Sequence, residues 1–160
     1  MNSETRYLLI VACSQRKRSD PYLLPAIERY DGGSFRVLRK LKREKCWPKN
    51  VDVLILSAKY GLIKADEPIV SYEQRMDRER ARGLKAQTIS ILHKYTEHHV
   101  YDEVYVELGQ DYFPAIGDMK GLFKNSLVIY AEGRIGERLA KLKQWLIAKH
   151  MSEDTTEYVY

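Results

Sequence analysis

The sequence lacks the features that define several large classes of protein. Its two cysteines, Cys13 and Cys46, cannot build a disulfide framework and do not have the paired spacing of a zinc site. No apolar run approaches the ~20 residues that a membrane-spanning helix needs. The apolar segment at residues 7–13 is short and passes directly into charged residues, so we expect no signal peptide. These absences predict a cytoplasmic protein without a membrane partner.

Common catalytic and cofactor motifs are also missing. The chain contains no G-x-G-x-x-G, Walker A, G-x-S-x-G, H-E-x-x-H or C-x-x-C pattern. His93, His98 and His99 lie close together in the sequence, but no further ligand stands at a fixed spacing from them. We interpret them as surface residues near the end of a helix, and we expect neither a metal site nor a cofactor.

The composition is that of a single globular domain with a basic bias. The 160 residues are 44% apolar and 31% charged, with a formal net charge of +5. Lysine and arginine are concentrated at residues 16–18 and again at residues 36–45. Such clusters either recognise an anionic partner, which could be a nucleotide, DNA or RNA, or form the solvated face of a helix.

Four apolar segments of strand length alternate with helical patterns, and this alternation predicts the fold. The predicted strands are 6–13, 51–57, 103–108 and 127–131, and the predicted helices are 24–30, 35–45 with Ser34 as N-cap, 75–95, 115–123 and 135–150. The first strand is almost continuously apolar, which is typical of a central parallel strand. We therefore predict a single three-layer α/β domain over residues 1–151. It has a mostly parallel sheet of about four strands with helices on both faces, and a flexible acidic tail follows at residues 152–160.

Right-handed crossovers between parallel strands place all the loops that follow them at one edge of the sheet, where α/β proteins bind ligands. The four loops are 14–17, 57–72, 109–112 and 132–136. We predict that the first two face each other and form the walls of one site.

The first of these loops contains the first candidate catalytic residue, Lys17. Desolvation and the neighbouring Arg16 and Arg18 would lower its pKa and make it a nucleophile or a base. Alternatively, it binds a phosphate or carboxylate, or it is an exposed charge. Cys13 and Ser14 are candidates for contact with the ligand, although a cysteine at the end of an apolar strand is also a common small core residue.

The second loop contains the other candidate catalytic residue, Asp66, which could orient Lys17 or bind a ligand hydroxyl, or could be an exposed loop acid. Tyr60 and Tyr72 could stack on a base or could be core residues. The remaining candidates for substrate binding are Ser57, Lys59 and Gly61 in this loop, Gly109 after the third strand and Gly133 after the fourth. Gly61 indicates a bend that glycine adopts most easily, and Gly133 opens a helix whose N-terminus favours anions.

The two loops carry motifs that resemble known families. Cys13-Ser14-x-x-Lys17 and L-S-A-K-Y-G-L-I-x-x-D-x-x-I-x-x-Y at residues 56–72 resemble a small uncharacterised domain family with C-S-x-x-K and S-A-K-Y-G-L segments. The second motif is similar to a segment of YaaA-like peroxide stress proteins, which implies DNA binding and protection against oxidative damage. The first resembles the lysine loop of archaeosine synthase, which implies that Lys17 is a nucleophile.

Two functions from different classes follow from these patterns. The first is an enzyme that acts on a nucleobase or nucleotide, free or within nucleic acid, with Lys17 and Asp66 in its site. The alternative is a non-catalytic protein that binds nucleic acid or assists a DNA-modification or stress-response system.

Overall fold

A computed structural model describes residues 4–157 and confirms the α/β fold class. The strands are β1 (Tyr7–Ala12), β2 (Leu24–Pro25), β3 (Val51–Ser57), β4 (Gly61–Lys64), β5 (Pro68–Ile69), β6 (Glu103–Glu107) and β7 (Leu127–Tyr130). The helices are α1 (Ala26–Arg29), α2 (Gly33–Arg43), α3 (Arg78–His98), α4 (Met119–Leu122) and α5 (Ile135–Glu157), with a 3-10 helix at Gln110–Ala115.

The central sheet has five strands in the order β4-β3-β1-β6-β7, and a separate two-stranded ribbon pairs β2 with β5. The four strands expected from the sequence pair in parallel, and β4 adds an antiparallel edge strand to β3. Both faces of the sheet are covered by helices. In the described part of the chain, no helix is long and apolar enough to cross a membrane.

Alternate residues of β1 point into two separate cores. Leu9 and Val11 pack with residues of α2 and α5, whereas Leu8 and Ile10 pack with residues of α3. Because both sets of side chains are buried, the strand needs apolar residues at every position, which explains its continuous apolar run.

The order of the strands creates a crevice between β1 and β6. After β1 the chain turns to α2 and then to β3 on one side, whereas after β6 it continues to β7 on the other. α2 packs on one face of the sheet, and the 3-10 helix that follows β6 packs on the opposite face. Adjacent parallel strands whose connections leave in opposite directions form a switch point, where open α/β sheets bind their ligands.

Several helix boundaries differ from the predicted ones for local reasons. Gly32 rather than Ser34 is the N-cap residue of α2, and the hydroxyl of Ser34 donates instead to Glu107. α3 begins at Arg78 because the side chain of Asp77 caps it by accepting the N–H of Arg80. The helix predicted at 115–123 is shorter than expected and consists of α4, Met119–Leu122, whereas the 3-10 helix at Gln110–Ala115 ends where the predicted helix begins.

The predicted flexible tail begins within a helix. α5 continues past residue 151 to Glu157, so residues 152–157 extend that helix rather than start a separate segment. The last predicted tail residues, 158–160, lie outside the described part of the chain.

Candidate functional site

The two loops predicted to form one site lie side by side, because β1 and β3 are neighbours in the sheet. The backbone N–H of Cys13 donates to the carbonyl of Leu56 at 3.0 Å. The N–H of Ala58 donates in turn to the thiol sulfur of Cys13 at 3.4 Å. The ends of both strands are therefore joined directly at the sheet edge.

Lys17 is half-buried against two tyrosine side chains, one of which belongs to the second loop. Its ammonium nitrogen lies 4.3 Å from the ring centre of Tyr72 and 5.8 Å from that of Tyr30, and it donates to the carbonyl of Gln15 at 3.1 Å. Burial lowers the pKa of Lys17, while Cys13 and Glu73 oppose part of that shift. The position thus combines a cation–π contact with partial desolvation.

Three buried hydroxyl groups lie beneath this lysine. The hydroxyl of Tyr30 donates to Ser57 Oγ at 2.9 Å and lies 2.6 Å from the hydroxyl of Tyr72. Ser57 Oγ also accepts the backbone N–H of Tyr60 at 3.1 Å, and it lies 3.0 Å from Tyr72 Oη. Burial raises the pKa of Tyr72 to about 12, so its hydroxyl is protonated at neutral pH. Ser57, a predicted ligand contact, is fully buried and fixes the loop from inside.

Cys13 connects these loops to the loop after β6. The hydroxyl of Tyr112 lies 3.2 Å from the Cys13 sulfur and donates to the Cys13 carbonyl at 3.1 Å. Only 8% of the surface of Cys13 is exposed. Cys13 is therefore a core residue that also forms part of the wall of the candidate site. Burial raises the pKa of Tyr112, which keeps that hydroxyl protonated.

Three more predicted residues lie at the turn between β3 and β4, where Lys59 is exposed, Tyr60 is half-buried and Gly61 is buried. The Lys59 ammonium is 5.3 Å from the Tyr60 ring centre, and the Tyr60 ring meets that of Tyr72 edge-on at 5.6 Å. Gly61 has a φ of +76°, and a Cβ at this position would overlap the side-chain amide of Gln87. The predicted requirement for glycine at the bend is confirmed.

Ser14 supports the first loop from within. Its hydroxyl donates to the carbonyl of Arg16 at 2.7 Å and accepts the N–H of Gly32 at 3.1 Å. These bonds fix the loop against the start of α2, and the Ser14 side chain lines a small cavity beside it.

Asp66 does not lie near Lys17, and the prediction that it orients that lysine is wrong. β4 runs antiparallel to β3 and carries the chain back to the opposite edge of the sheet. There the N–H of Ala65 donates to the carbonyl of Val53 at 3.2 Å. Asp66 is exposed and lines a cavity of about 330 Å³ together with Trp47. The segment predicted as a polar loop contains β4, which forms a short hairpin with β3, and this hairpin reverses the direction of the chain.

A cavity of about 660 Å³ lies between the loops that follow β6 and β7. Gly109 and Gly133, both predicted ligand contacts, line it, and Gly133 has a φ of +104°. Phe113 and Tyr130 also line it, with their ring centres 6.1 Å apart. The volume lies within the range of small-molecule sites.

A second, smaller cavity of about 170 Å³ lies at the switch point between β1 and β6. Cys13 and Ser14 line one side of it, and Glu107 and Arg138 line the other. Glu107 is 2% exposed; its Oε2 accepts the hydroxyl of Ser34 at 2.9 Å, and its Oε1 lies 3.5 Å from Arg138 Nη1. The two cavities share Arg138, so they adjoin.

Glu107 and Arg138 were not predicted from the sequence. A charged residue at the end of the apolar segment 103–108 was the available signal for Glu107. No sequence signal marked Arg138, because it resembles the other charged residues of the last helix.

A single family model matches the part of the sequence that forms this site. A family model described as a family of unknown function (DUF6884) matches residues 8–144. The chain belongs to this family. The DUF6884 match begins inside β1 and ends inside α5, so it includes the four loops and both cavities. The search of curated proteins found no match.

In this DUF6884 protein many of the clustered cations already have acidic partners. Asp31 pairs with Arg39 at 2.6 Å, Arg36 at 3.4 Å and Arg16 at 3.5 Å, and these contacts lower the pKa of Asp31. Arg18 pairs with Asp20 at 3.0 Å. The continuous basic face that a nucleic-acid-binding module needs is therefore interrupted by carboxylates. Within the described residues, no group of three His, Cys, Asp or Glu side chains could hold a metal ion.

Proposed function

We propose that the protein is an enzyme that acts on a nucleobase or nucleotide, with Lys17 at the reacting end of its site. The observation that supports this proposal is the half-buried Lys17 ammonium packed on Tyr72 beside Cys13, with its pKa lowered by burial. An amine in such a position is neutral more often than a surface lysine at the same pH, and the neutral form is the nucleophile.

The adjoining cavities support the class of substrate. Lys17 interacts electrostatically with Cys13, and Cys13 lines the small cavity, which shares Gly109 and Arg138 with the large one. The large cavity has room for a nucleoside, and Phe113 and Tyr130 offer it aromatic surface. Flat heterocycles gain free energy from stacking on such side chains.

The position of Lys17 allows two alternative roles, nucleophile or binding cation, and each role requires a different chemical property of the side chain. As a nucleophile it must supply a neutral amine that attacks an electrophilic carbon of the substrate. As a binding cation it needs only a positive charge near a phosphate or carbonyl oxygen. Arginine preserves the charge and removes the nucleophile, because its guanidinium is not deprotonated in proteins.

The experiment is a binding and conversion screen over nucleobases, nucleosides, nucleotides and modified bases. Binding is measured by the shift of the unfolding temperature, and conversion is measured by mass spectrometry of the ligand. We expect Lys17→Ala to lose both for any ligand found, and we expect Lys17→Arg to bind without converting it. Lys64→Ala and Asp66→Ala, at exposed positions on the hairpin that runs away from Lys17, are matched controls and should behave as wild type.

The proposed role of Lys17 is overturned if Lys17→Ala binds and converts a ligand as the wild type does. Lys17→Arg that still converts the ligand would assign Lys17 to binding alone. If no ligand of the panel shifts the unfolding temperature of the wild type, the proposed substrate class is wrong.

A further inference from the structure

We propose that the small cavity between β1 and β6 binds the amino-bearing edge of a nitrogen heterocycle, with Glu107 as hydrogen-bond acceptor and Arg138 as donor. The inference rests on the proposed function for the class of ligand. The proposed subsite adds a preference for an amino-bearing ligand edge, which Lys17 does not determine. The evidence for the subsite is the unsatisfied polar atoms of Glu107 and Arg138, the charges of these side chains and the position of the cavity.

The carboxylate of Glu107 is deeply buried and only partly satisfied. Its Oε2 accepts the hydroxyl of Ser34, but Oε1 has no hydrogen-bond partner among the described residues. A buried carboxylate oxygen without such a partner is costly, usually by more than a neutral group would be. Folding has therefore left an unused acceptor on a side chain that lines the cavity, and a hydrogen bond from a ligand N–H would offset the cost of that acceptor.

Arg138 supplies the complementary donor. Its Nη1 lies 3.5 Å from Glu107 Oε1, which is close enough for an ion pair but longer than an ordinary hydrogen bond. Its Nε is buried and also has no hydrogen-bond partner within residues 4–157. The unused acceptor and the unused donor thus belong to two side chains that line the same cavity. A ligand edge that carries an amino group beside a ring nitrogen or carbonyl oxygen satisfies both.

The pairing of Glu107 with Arg138 leaves no net positive charge among the residues that line this cavity to attract an anion. The first turns of α2 and α5 contribute Ser34 and Ile135 to the cavity wall, and helix N-termini favour a negative group. Glu107 already occupies that position with its own carboxylate. A phosphate placed there would meet a like charge at close range, whereas an N–H donor would meet an acceptor.

The size and connection of the cavity indicate which part of the ligand enters it. About 170 Å³ accommodates the edge of a ring system rather than a whole nucleoside. The remainder of the ligand would lie in the 660 Å³ cavity, beside Phe113 and Tyr130. Arg138 lines both cavities, so it can contact the ligand where the two parts join.

The test uses two pairs of nucleosides whose members differ by one exocyclic amino group: adenosine with purine riboside, and guanosine with inosine. Dissociation constants are measured by equilibrium dialysis for the wild type and Glu107→Gln. We expect the wild type to bind the amino-bearing member of at least one pair about tenfold or more tightly, because hydrogen bonds to charged groups are among the stronger ones. Glu107→Gln should reduce that ratio to about one.

Two further variants keep the result interpretable. Glu103→Gln makes the same substitution at the other end of β6 and should preserve the wild-type ratio. Arg138→Lys keeps a positive charge but loses the Nε donor, and it should weaken both members of the preferred pair while preserving their ratio. Because Arg138→Lys leaves Glu107 intact, it tests the subsite even if Glu107→Gln does not fold.

The subsite is overturned if no probe binds the wild type, if neither pair shows a preference, if Glu107→Gln retains the preference, or if Arg138→Lys binds every probe as the wild type does. Failure of the proposed function gives a different pattern. In that case Lys17→Ala converts ligands as the wild type does, but the wild type still prefers the amino-bearing nucleoside and Glu107→Gln still loses that preference.

Discussion

At the scale of single residues, the environment of Lys17 is assembled from distant parts of the chain. Tyr30 follows α1, Ser57 ends β3, and Tyr72 comes after β5. Their hydroxyl groups bond to one another within 3.0 Å, which fixes the Tyr72 ring against which the lysine packs. The lowered pKa of Lys17 is therefore a consequence of tertiary packing rather than of the neighbouring arginines that the sequence suggested.

Chemical modification of Lys17 should reveal this environment through its pH dependence. Burial lowers the pKa of Lys17 in the folded chain, so its neutral amine appears at lower pH than in the unfolded chain. We expect acylation of Lys17 in the native protein to rise at lower pH than acylation of Lys17 in urea. Mass spectrometry of peptides labelled over a pH series measures both curves. Coincident curves would show that packing does not alter the titration of Lys17.

The same shift makes the contribution of Lys17 to stability depend on pH. The unfolded chain holds the proton more tightly than the folded chain, so stability from this group rises with pH between the folded and unfolded pKa values. Below the folded pKa, folding carries the full cost of the partly desolvated ammonium. Above the unfolded pKa that cost is absent.

At the scale of elements, one buried arginine holds the loop that contains Lys17. Arg29 ends α1, is fully buried, and donates to the carbonyls of Arg18 at 2.7 Å and Asp20 at 3.0 Å. It also donates to the carbonyls of Tyr22 and Ile69. A single guanidinium thus joins the segment after Lys17 to β5, which a helix as short as α1 could not do through its own backbone.

Arg29→Lys should destabilise the protein although it keeps the charge. Lysine cannot place donors at all four carbonyls, so buried acceptors lose their partners. We expect the free energy of unfolding, measured by urea denaturation, to fall by about 2–4 kcal/mol. Arg36→Lys, a change at an exposed arginine, should alter it by less than about 0.5 kcal/mol. Equal effects of the two substitutions would show that the buried bonds of Arg29 contribute little.

The elements also show which parts of the molecule the sequence could predict. Continuous apolar segments identified the four parallel strands, because burial on both faces imposes that pattern locally. The position of Asp66 depended on β4, a strand whose four residues lie inside a polar loop. The pairing of Glu107 with Arg138 depended on which strands are neighbours and on how α5 packs. Strand order is a global property that no local pattern in the chain expresses.

At the scale of the whole molecule, carboxylates lie among the clustered basic residues. The formal charge of +5 suggested a basic face, yet Asp31 lies among Arg16, Arg36 and Arg39. Exposed ion pairs contribute little to stability, but a carboxylate among these cations reduces the positive potential that a phosphate backbone would meet.

Asp31→Asn should therefore increase affinity for polyanions. The substitution removes the charge shared by three arginines, so each could contact a phosphate and release counterions. We expect fluorescence anisotropy with DNA and RNA oligonucleotides to show weak binding by the wild type, with a dissociation constant of about 10 µM or more at physiological salt. Asp31→Asn should bind more tightly and lose affinity more steeply as salt rises.

Asp20→Asn, which removes the 3.0 Å ion-pair partner of Arg18, should give a smaller increase in affinity. Tight, salt-sensitive binding by the wild type that Asp31→Asn does not change would instead support a nucleic-acid-binding module.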